Sequence, residues 1–499
     1  MPEAVPEAQP QTPPSTDVYA IHGADPEVLA YAMAKYSRSS LTLRESLREI
    51  SAQRAEQFLN TFYFAYGHRS IADLAHIPMA IERLSLLAAI TLVDEQRWDG
   101  QERSTRYQNF RKSGWYTPAL GDQTAPYTAA VQALFAAYDQ VSLGMLDALK
   151  ATIPCPETMK PDAYERTLKA RAFDAARYLL PLATNTSLGQ IVNARTLETQ
   201  VSRLLSSDFA EIRTLGTKLR TAASEPAWNP NPDAPGVKSA PTLVKYAAPN
   251  PYQRETAALL TQAACELMQG QSIDEATVVD LIDGSEPLEI EVATSLLYPH
   301  CHYAYRQLRE MVAALPAPRI AEIIESGTRH RGRHDELLRP FHSGAALKFD
   351  ILMDIGGFRD MHRHRRCTQL VQPFTDLHGF DTPDAPGQPT LAAAGLDTLY
   401  HHAMQAAHAA YRDQRDSAVE EAAQSAQYLL PLGTRCRALF KMDFAEALYI
   451  SELRSGVAGH YSYRRVAWEM YEAIRRRHPS LAHLFRIEDV SEPVDLLRR

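Results

Sequence analysis

The segment Tyr178-Leu179-Leu180-Pro181-Leu182 recurs in the second half of the chain as Tyr428-Leu429-Leu430-Pro431-Leu432, with Thr184 and Thr434 following at matching offsets. Upstream, Leu47-Arg48-Glu49-Ile50 is echoed by Leu308-Arg309-Glu310-Met311. One leucine-rich pentapeptide repeats easily by chance, but a pair flanked by similar helical patterns argues for duplication. Between the copies, the stretch from Ser224 to Pro251 is crowded with Pro, Asn and Gly. Proline fixes φ and removes a backbone donor, so this composition discourages helix and central strand and reads as a linker. A chain of 499 residues exceeds one ordinary core and suits two domains of roughly 200–250 residues. The expected organisation is a tail over 1–20, a first repeat over 21–223, a linker over 224–251 and a second repeat over 252–499.

Within the repeats, apolar residues fall at three- and four-residue spacing around Leu41–Thr61, Tyr127–Leu149, Tyr252–Met268, Leu396–Gln414 and Val466–Arg477, which predicts amphipathic helices. His76–Leu92 and Leu347–Ile355 are shorter apolar stretches and read as strands between them. The fold class is therefore α+β, rich in helix.

Charge narrows the partners. The net charge of −8 offers no general attraction for nucleic acid or an acidic membrane, so any anion site must be a local basic cluster. The cysteines Cys155, Cys265, Cys301, Cys367 and Cys436 are scattered, with no CxxC pair, which argues against a disulfide framework and fits a reducing cytoplasm. No apolar run reaches the length of a membrane span. The first twenty residues are proline-rich and acidic rather than signal-like, and read as a disordered tail.

Two windows carry the chemistry. In the first half Gly67-His68-Arg69-Ser70 precedes the window Asp94–Tyr107 (DEQRWDGQERSTRY); Arg177 stands directly before the first YLLPL, and Asn193-Ala194-Arg195, Arg203 and Glu211 follow. In the second half Asp360-Met361-His362-Arg363-His364-Arg365-Arg366 is followed by Thr368 and then LVQPFTD; Gln427 takes the place of Arg177, Asp443 and Ala445 replace Asn193 and Arg195, and Arg454 and His460 close the series. This order resembles that of the flavin-dependent thymidylate synthases, whose signature RHRxxSxNExSxRY follows a GHxS-like segment and precedes R-x-x-L-P-L and an N-x-R helix. The first half keeps Glu102, Ser104, Arg106 and Tyr107, with Gln101 for the asparagine, and carries Asp94, Glu95 and Gln96 where RHR is expected. The second half keeps Arg363, His364 and Arg365 but has Leu370, Val371, Pro373, Thr375 and Asp376 for the rest.

The resemblance implies two fused, differently diverged copies of that family's fold, forming a pseudo-dimer within the chain. In the family the nucleotide lies across a subunit interface, and each half here retains roughly what the other lost, so one composite site per chain is implied. By resemblance, Arg106, Arg177 and Arg363 hold the phosphate and base edge of dUMP, and Glu102 and Ser104 hydrogen-bond sugar or base. Arg454 stabilises charge on the uracil ring, and it and Ser104 are the catalytic candidates. His68, Ser70, Asn193, Arg195, Arg363, His364 and Arg365 contact FAD, with NADPH and methylenetetrahydrofolate as co-substrates. The product implied is dTMP, without a covalent cysteine. Family tetramers become a homodimer of fused chains.

Elementary electrostatics point the same way. An arginine fork grips phosphate through charge-assisted hydrogen bonds of roughly 1.5–3 kcal/mol each. Asp94 or Glu95 in that place repels it, by about 4 kcal/mol at ~4 Å and an effective dielectric of about 20. The reciprocal site, built from Asp94–Gln96 with Thr375 and Asp376, is expected to be dead for that reason.

Blander readings stand beside these. Taken alone, the 361–366 run (MHRHRR) is also a solvated basic turn or a phosphate patch, QERSTRY an ordinary charged helix face, and YLLPL plain core. His330, His334, His362 and His364 lack the acidic and cysteine partners of a zinc site, and the arginines among them repel a cation, so no metal is expected. Cys367, beside the basic run, reads as a passive core thiol. Two further functions stay open: a silent homologue that still binds flavin or nucleotide, and a flavin-dependent methylase of another uridine nucleotide.

Overall fold

Each sheet strand that feeds a helix ends on a capping side chain, and the same device appears in both halves. Ser85 accepts a hydrogen bond from Ala88 N–H (2.9 Å) and Asp354 from Gly357 N–H (2.7 Å). Asn193 accepts from Thr196 N–H and Asp443 from Glu446 N–H, both at 2.8 Å. Such caps satisfy orphan donors of the first helical turn and fix where strand gives way to helix. The structure is a computed structural model. It describes residues 19, 21, 23–37, 39–49, 69–234, 236–245, 247–274, 277–282, 286–332, 335, 337–492 and 495–498, with the backbone alone at 37, 49, 69 and 70.

The first sheet comprises β1 (His76–Ser85), β2 (Asp99–Glu102) and β3 (Asn185–Asn193) in the order β1-β3-β2. The second comprises β4 (Val279–Ile282), β5 (Leu347–Asp354), β6 (Thr368–Val371) and β7 (Arg435–Met442) in the order β4-β5-β7-β6. All pairings are antiparallel. Strands β5, β7 and β6 thus repeat the arrangement of β1, β3 and β2. The helices Leu86–Leu92 and Ile355–Met361 follow the first strand of each trio, and Ala194–Leu205 and Phe444–Ser455 follow the last.

The repeated pentapeptides meet. Leu182 N–H donates to Leu430 O and Leu432 N–H to Leu180 O; Ala183 N–H donates to Tyr428 O and Gly433 N–H to Tyr178 O, all at 2.9 Å. This reciprocal bridge runs through a core common to both halves, in which Tyr138, Tyr178 and Leu182 pack with Phe358, Tyr400, Tyr428 and Leu432. The long helix Thr124–Thr152 buries Tyr127, Val131, Leu134, Tyr138, Val141, Met145 and Leu149, the stripe expected of its periodicity. It lies against Asp397–Arg415, its counterpart in the second half.

The helical expectations for 127–149, 252–268, 396–414 and 466–477 coincide with helices Thr124–Thr152, Pro251–Leu267, Asp397–Arg415 and Tyr461–Arg477. In the 41–61 stretch the helix Leu43–Glu49 forms, and positions 50–61 lie outside the described residues. His76–Leu92 divides at the Ser85 cap into β1 and a helix, a boundary that an unbroken apolar run conceals. The proline-rich stretch is not a free linker. Ala240, Leu243, Val244 and Ala247 are buried in the first half's second core, and Glu27 accepts the N–H groups of Thr242 and Leu243. Among the described residues no helix is long and apolar enough to cross a membrane.

Candidate active site

The basic residues of the two halves converge on one carboxylate. Arg177, placed at the end of helix Pro161–Ala176 by the first YLLPL turn, donates from Nη1 to Asp360 Oδ2 at 3.0 Å. Burial would raise the Asp360 carboxyl, but Arg177, Arg363, Arg106 and Arg454 outweigh it and hold it well below the usual carboxylate range. Arg106 and Arg177 come from the first half, Arg363 and Arg454 from the second. Arginines of both halves thus act on the one carboxylate.

The individual side chains differ in how free they are. Arg177 is 1% exposed, and its Nε and Nη2 have no hydrogen-bond partner among the described residues. Arg363 is half-buried, with no hydrogen-bonded side-chain partner among them. Arg106 departs from the phosphate-gripping role expected of it. Its Nε and Nη2 clamp Asp174 at 2.7 and 3.1 Å, Nη1 reaches the Tyr463 hydroxyl at 2.7 Å, and Nη2 also reaches Ala458 O at 3.0 Å. With every nitrogen engaged, it fastens the first half to helix Tyr461–Arg477 and holds the Tyr463 ring. Arg454 lies 5.3 Å from the centroid of that ring and donates from Nε to His364 Nε2 at 2.7 Å.

His364 thus backs Arg454, and it is not among the residues lining the neighbouring cavity. Burial, with Arg454, Arg365 and Arg363 adding to it, pushes its imidazole down to about 3, so it is neutral and an acceptor. Glu102 is buried and paired with Arg359 Nη2 at 2.7 Å, a bridge between halves. Ser104 Oγ accepts from Arg106 N–H at 3.2 Å.

Beside this cluster lies a cavity of about 420 Å³ lined by Trp98, Asn193, Arg363 and Arg365, among others. Arg365 stacks its guanidinium 4.2 Å from the Trp98 ring centroid, and its buried Nε and Nη2 have no hydrogen-bond partner among the described residues. Burial first, and Arg363 beside it, lower the Arg365 guanidinium to about 10. Asn193 lines this cavity while capping its helix; Arg195 turns to Asp73 (3.4 Å) and does not line it. His68 lies outside the described residues, and for Ser70 only the backbone, in a 3-10 turn, is described.

The reciprocal location is shut by pairing rather than by bare repulsion. Asp94-Glu95-Gln96 begin nine residues after the cap Ser85, as Arg363-His364-Arg365 begin nine after Asp354 (85 to 94, 354 to 363). Arg339 binds the Asp94 carboxylate, and Arg203 binds Glu95 Oε1 from Nε (3.0 Å) and Nη2 (2.7 Å). The expected acids are there, but each is compensated from within the protein.

The four histidines scatter. His330 meets Glu255 (2.7 Å), His362 meets Gln369 (2.8 Å), His364 meets Arg454, and His334 lies outside the described residues. Burial pushes the Cys367 thiol up to about 12, the behaviour of an inert core thiol. Sequence reasoning missed Asp360, Arg359, Asp174 and Tyr463. The first two sit inside the FRDMHRHRR window, where an acid ahead of so many arginines was the available signal.

A model of the family described as thymidylate synthase complementing protein matches residues 20–226 and again 290–480. A UPF0159 protein of Chlamydia pneumoniae is 26% identical over 524 residues, covering 97% of this chain and 94% of its own. A flavin-dependent thymidylate synthase of Clostridium tetani is 24% identical over 231 residues, covering 45% of this chain and 84% of its own. A solved structure, flavin dependent thymidylate synthase ThyX from Helicobacter pylori complexed with FAD and dUMP, is 15% identical, with a TM-score of 0.26. It covers 45% of this chain and 96% of that one.

Proposed function

We propose, because this chain belongs to the thymidylate synthase complementing protein family, that it is a tandem duplication of that fold with one composite site. There it acts as a flavin-dependent thymidylate synthase, converting dUMP to dTMP. The observation that carries the reading is the meeting of Arg106 and Arg177 with Arg363 and Arg454 around Asp360. Arg106 is matched by Asp174 and Arg177 by Asp360 with Asp354 beside it, while Arg454 leans on the neutral His364 and Arg363 has no hydrogen-bonded side-chain partner among the described residues; these two guanidiniums offer positive charge to a phosphate.

The residues present fit an anionic flavin dinucleotide as well. Buried donors on Arg177 and Arg365 lack hydrogen-bond partners among the described residues, a costly arrangement in a dry interior unless a ligand accepts them. Arg363, Arg365, Trp98 and Asn193 would hold FAD. When bound, reduced FAD supplies a hydride, methylenetetrahydrofolate the carbon and NADPH the reducing equivalents. The chain's own part is positional. Arg177 and Arg363 grip the nucleotide, and Arg454, its charge left intact by neutral His364, stabilises negative charge developing on the uracil ring. Glu102 and Ser104 orient sugar or base, and Arg106 holds Tyr463 and Asp174 in place. The reading includes a homodimer in the cytoplasm.

Purified protein should be yellow or become so with FAD, and should bind one dUMP per chain; rescue of a thymidine auxotroph would then establish turnover. Protein that takes up neither FAD nor dUMP sinks the proposal. Binding without turnover is the second reading, favoured by the complete engagement of Arg106 inside the protein.

A further inference from the structure

Asp360 is an acid where the local fold does not call for one. It lies in the last turn of helix Ile355–Met361, the end at which a helix disfavours negative charge. Its counterpart in the first half, six residues past the capping side chain in each case (85 to 91, 354 to 360), is the neutral Thr91. The Thr91 hydroxyl is spent locally on Leu87 O at 3.0 Å, and helix Leu86–Leu92 forms with it.

The two first-half arginines do not depend on Asp360 for a counter-ion. Arg106 has Asp174 at 2.7 Å. Arg177 donates to Asp360 Oδ2 at 3.0 Å and also has Asp354 beside it. A Cβ built on Gly356 would lie 3.4 Å from Arg177 Cζ and 3.1 Å from Asp354 Oδ1, so both groups pass close to that glycine. Of the ion pair, Asp360 is the member nearer the surface: its side chain is 14% exposed and that of Arg177 1%. Arg363 and Arg454, neither of which has a hydrogen-bonded carboxylate of its own among the described residues, act on it as well. The carboxylate is therefore an internal anion set among the groups a phosphate needs. Like charges a few ångströms apart in a partly buried site repel, so the cluster holds an added phosphate less tightly than its guanidiniums alone would.

We propose that Asp360 is an internal competitor for the nucleotide phosphate, an affinity-setting residue whose carboxylate occupies the Arg177 fork and offsets the charge of Arg363 and Arg454. The inference rests on reading this cluster as a phosphate site. Its consequence is that the phosphate contributes less to binding than the number of arginines suggests. Substrate and product carry the same phosphate, so both are released more readily than from a cluster without the acid.

The test is calorimetric titration of the full-length protein with dUMP, deoxyuridine and inorganic phosphate. Asp360→Asn keeps the shape and removes the charge, and Arg177 retains Asp354. This variant should bind dUMP and inorganic phosphate about tenfold or more tighter than the parent, with deoxyuridine unchanged within about twofold. Asp360→Ser should do the same, and serves if the amide variant does not fold. Asp360→Glu keeps the charge and should show no such gain. A residue that merely held Arg177 in place would give the opposite result, weaker dUMP binding on losing its charge. Phosphate and dUMP binding that is equal or weaker in the neutral variants, or a gain that deoxyuridine shares, overturns the proposal. Failure of the thymidylate synthase reading looks different: no FAD uptake and no preference for dUMP over inorganic phosphate in any of the proteins. The phosphate titrations still decide the role of Asp360 in that case, and no phosphate binding by parent or variants counts against it.

Discussion

Arg454 rests its Nε–H on the neutral Nε2 of His364 at 2.7 Å, whereas Arg203, at the corresponding place in the first half, is bound by the carboxylate of Glu95 at 2.7 Å. The two arginines end equivalent helices and meet equivalent positions of the RHR and DEQ triplets. One keeps its charge for use; the other has it cancelled. This single difference explains why one composite site per chain is expected to work and why its mirror image is not.

Substituting His364→Glu should convert the live arrangement into the silent one. A carboxylate about 4 Å from Arg454 offsets its charge by about 4 kcal/mol at an effective dielectric of about 20. We expect kcat/KM for dUMP to fall by two orders of magnitude or more, close to the effect of Arg454→Ala, with the far-ultraviolet dichroism unchanged. Full activity in either variant contradicts the role given to Arg454.

Glu102 and Arg359 form a buried pair across the halves, 5% and 6% exposed. Removing one partner leaves an uncompensated buried charge, costing about 3–5 kcal/mol. Glu102→Ala should therefore lower the urea midpoint strongly, and Glu102→Gln combined with Arg359→Met should recover much of it. Equal midpoints for single and double variants would show that the pair does not couple the halves.

Stability should fall in mild acid. The His364 imidazole is depressed in the folded state to about 3, so below its ordinary value near 6.5 the unfolded chain binds a proton that the native one does not. Its contribution is complete above about pH 6.5 and is lost progressively as the pH falls toward 3, at up to about 1.4 kcal/mol per unit. Asp360 and Asp94, both held below the usual carboxylate range, add a loss only below about pH 4. Urea midpoints measured from pH 7 to 4 should decline less steeply in His364→Asn than in the parent.

A Cβ at Gly433 would lie 3.0 Å from Tyr178 Cβ and from the Tyr400 hydroxyl, at the bridge between pentapeptides. Gly433→Val should overpack this crossing and cost about 1–3 kcal/mol, read as a lower thermal midpoint. A midpoint equal to the parent's would mean that the bridge tolerates separation.

Much of this protein was legible in the chain itself. The repeat of YLLPL, the long helical periodicities and the split of the arginine signature between halves follow from residue order, because periodicity and short motifs are local properties. What residue order left open is which charge meets which. Arg106 reads as a phosphate ligand until folding lays it on Asp174 and Tyr463; Asp94 and Glu95 read as repulsive until Arg339 and Arg203 reach them. In a low-dielectric interior the counter-ion decides whether a charge is spent or available. Here the counter-ions come from segments far apart in sequence, so only tertiary packing could assign them.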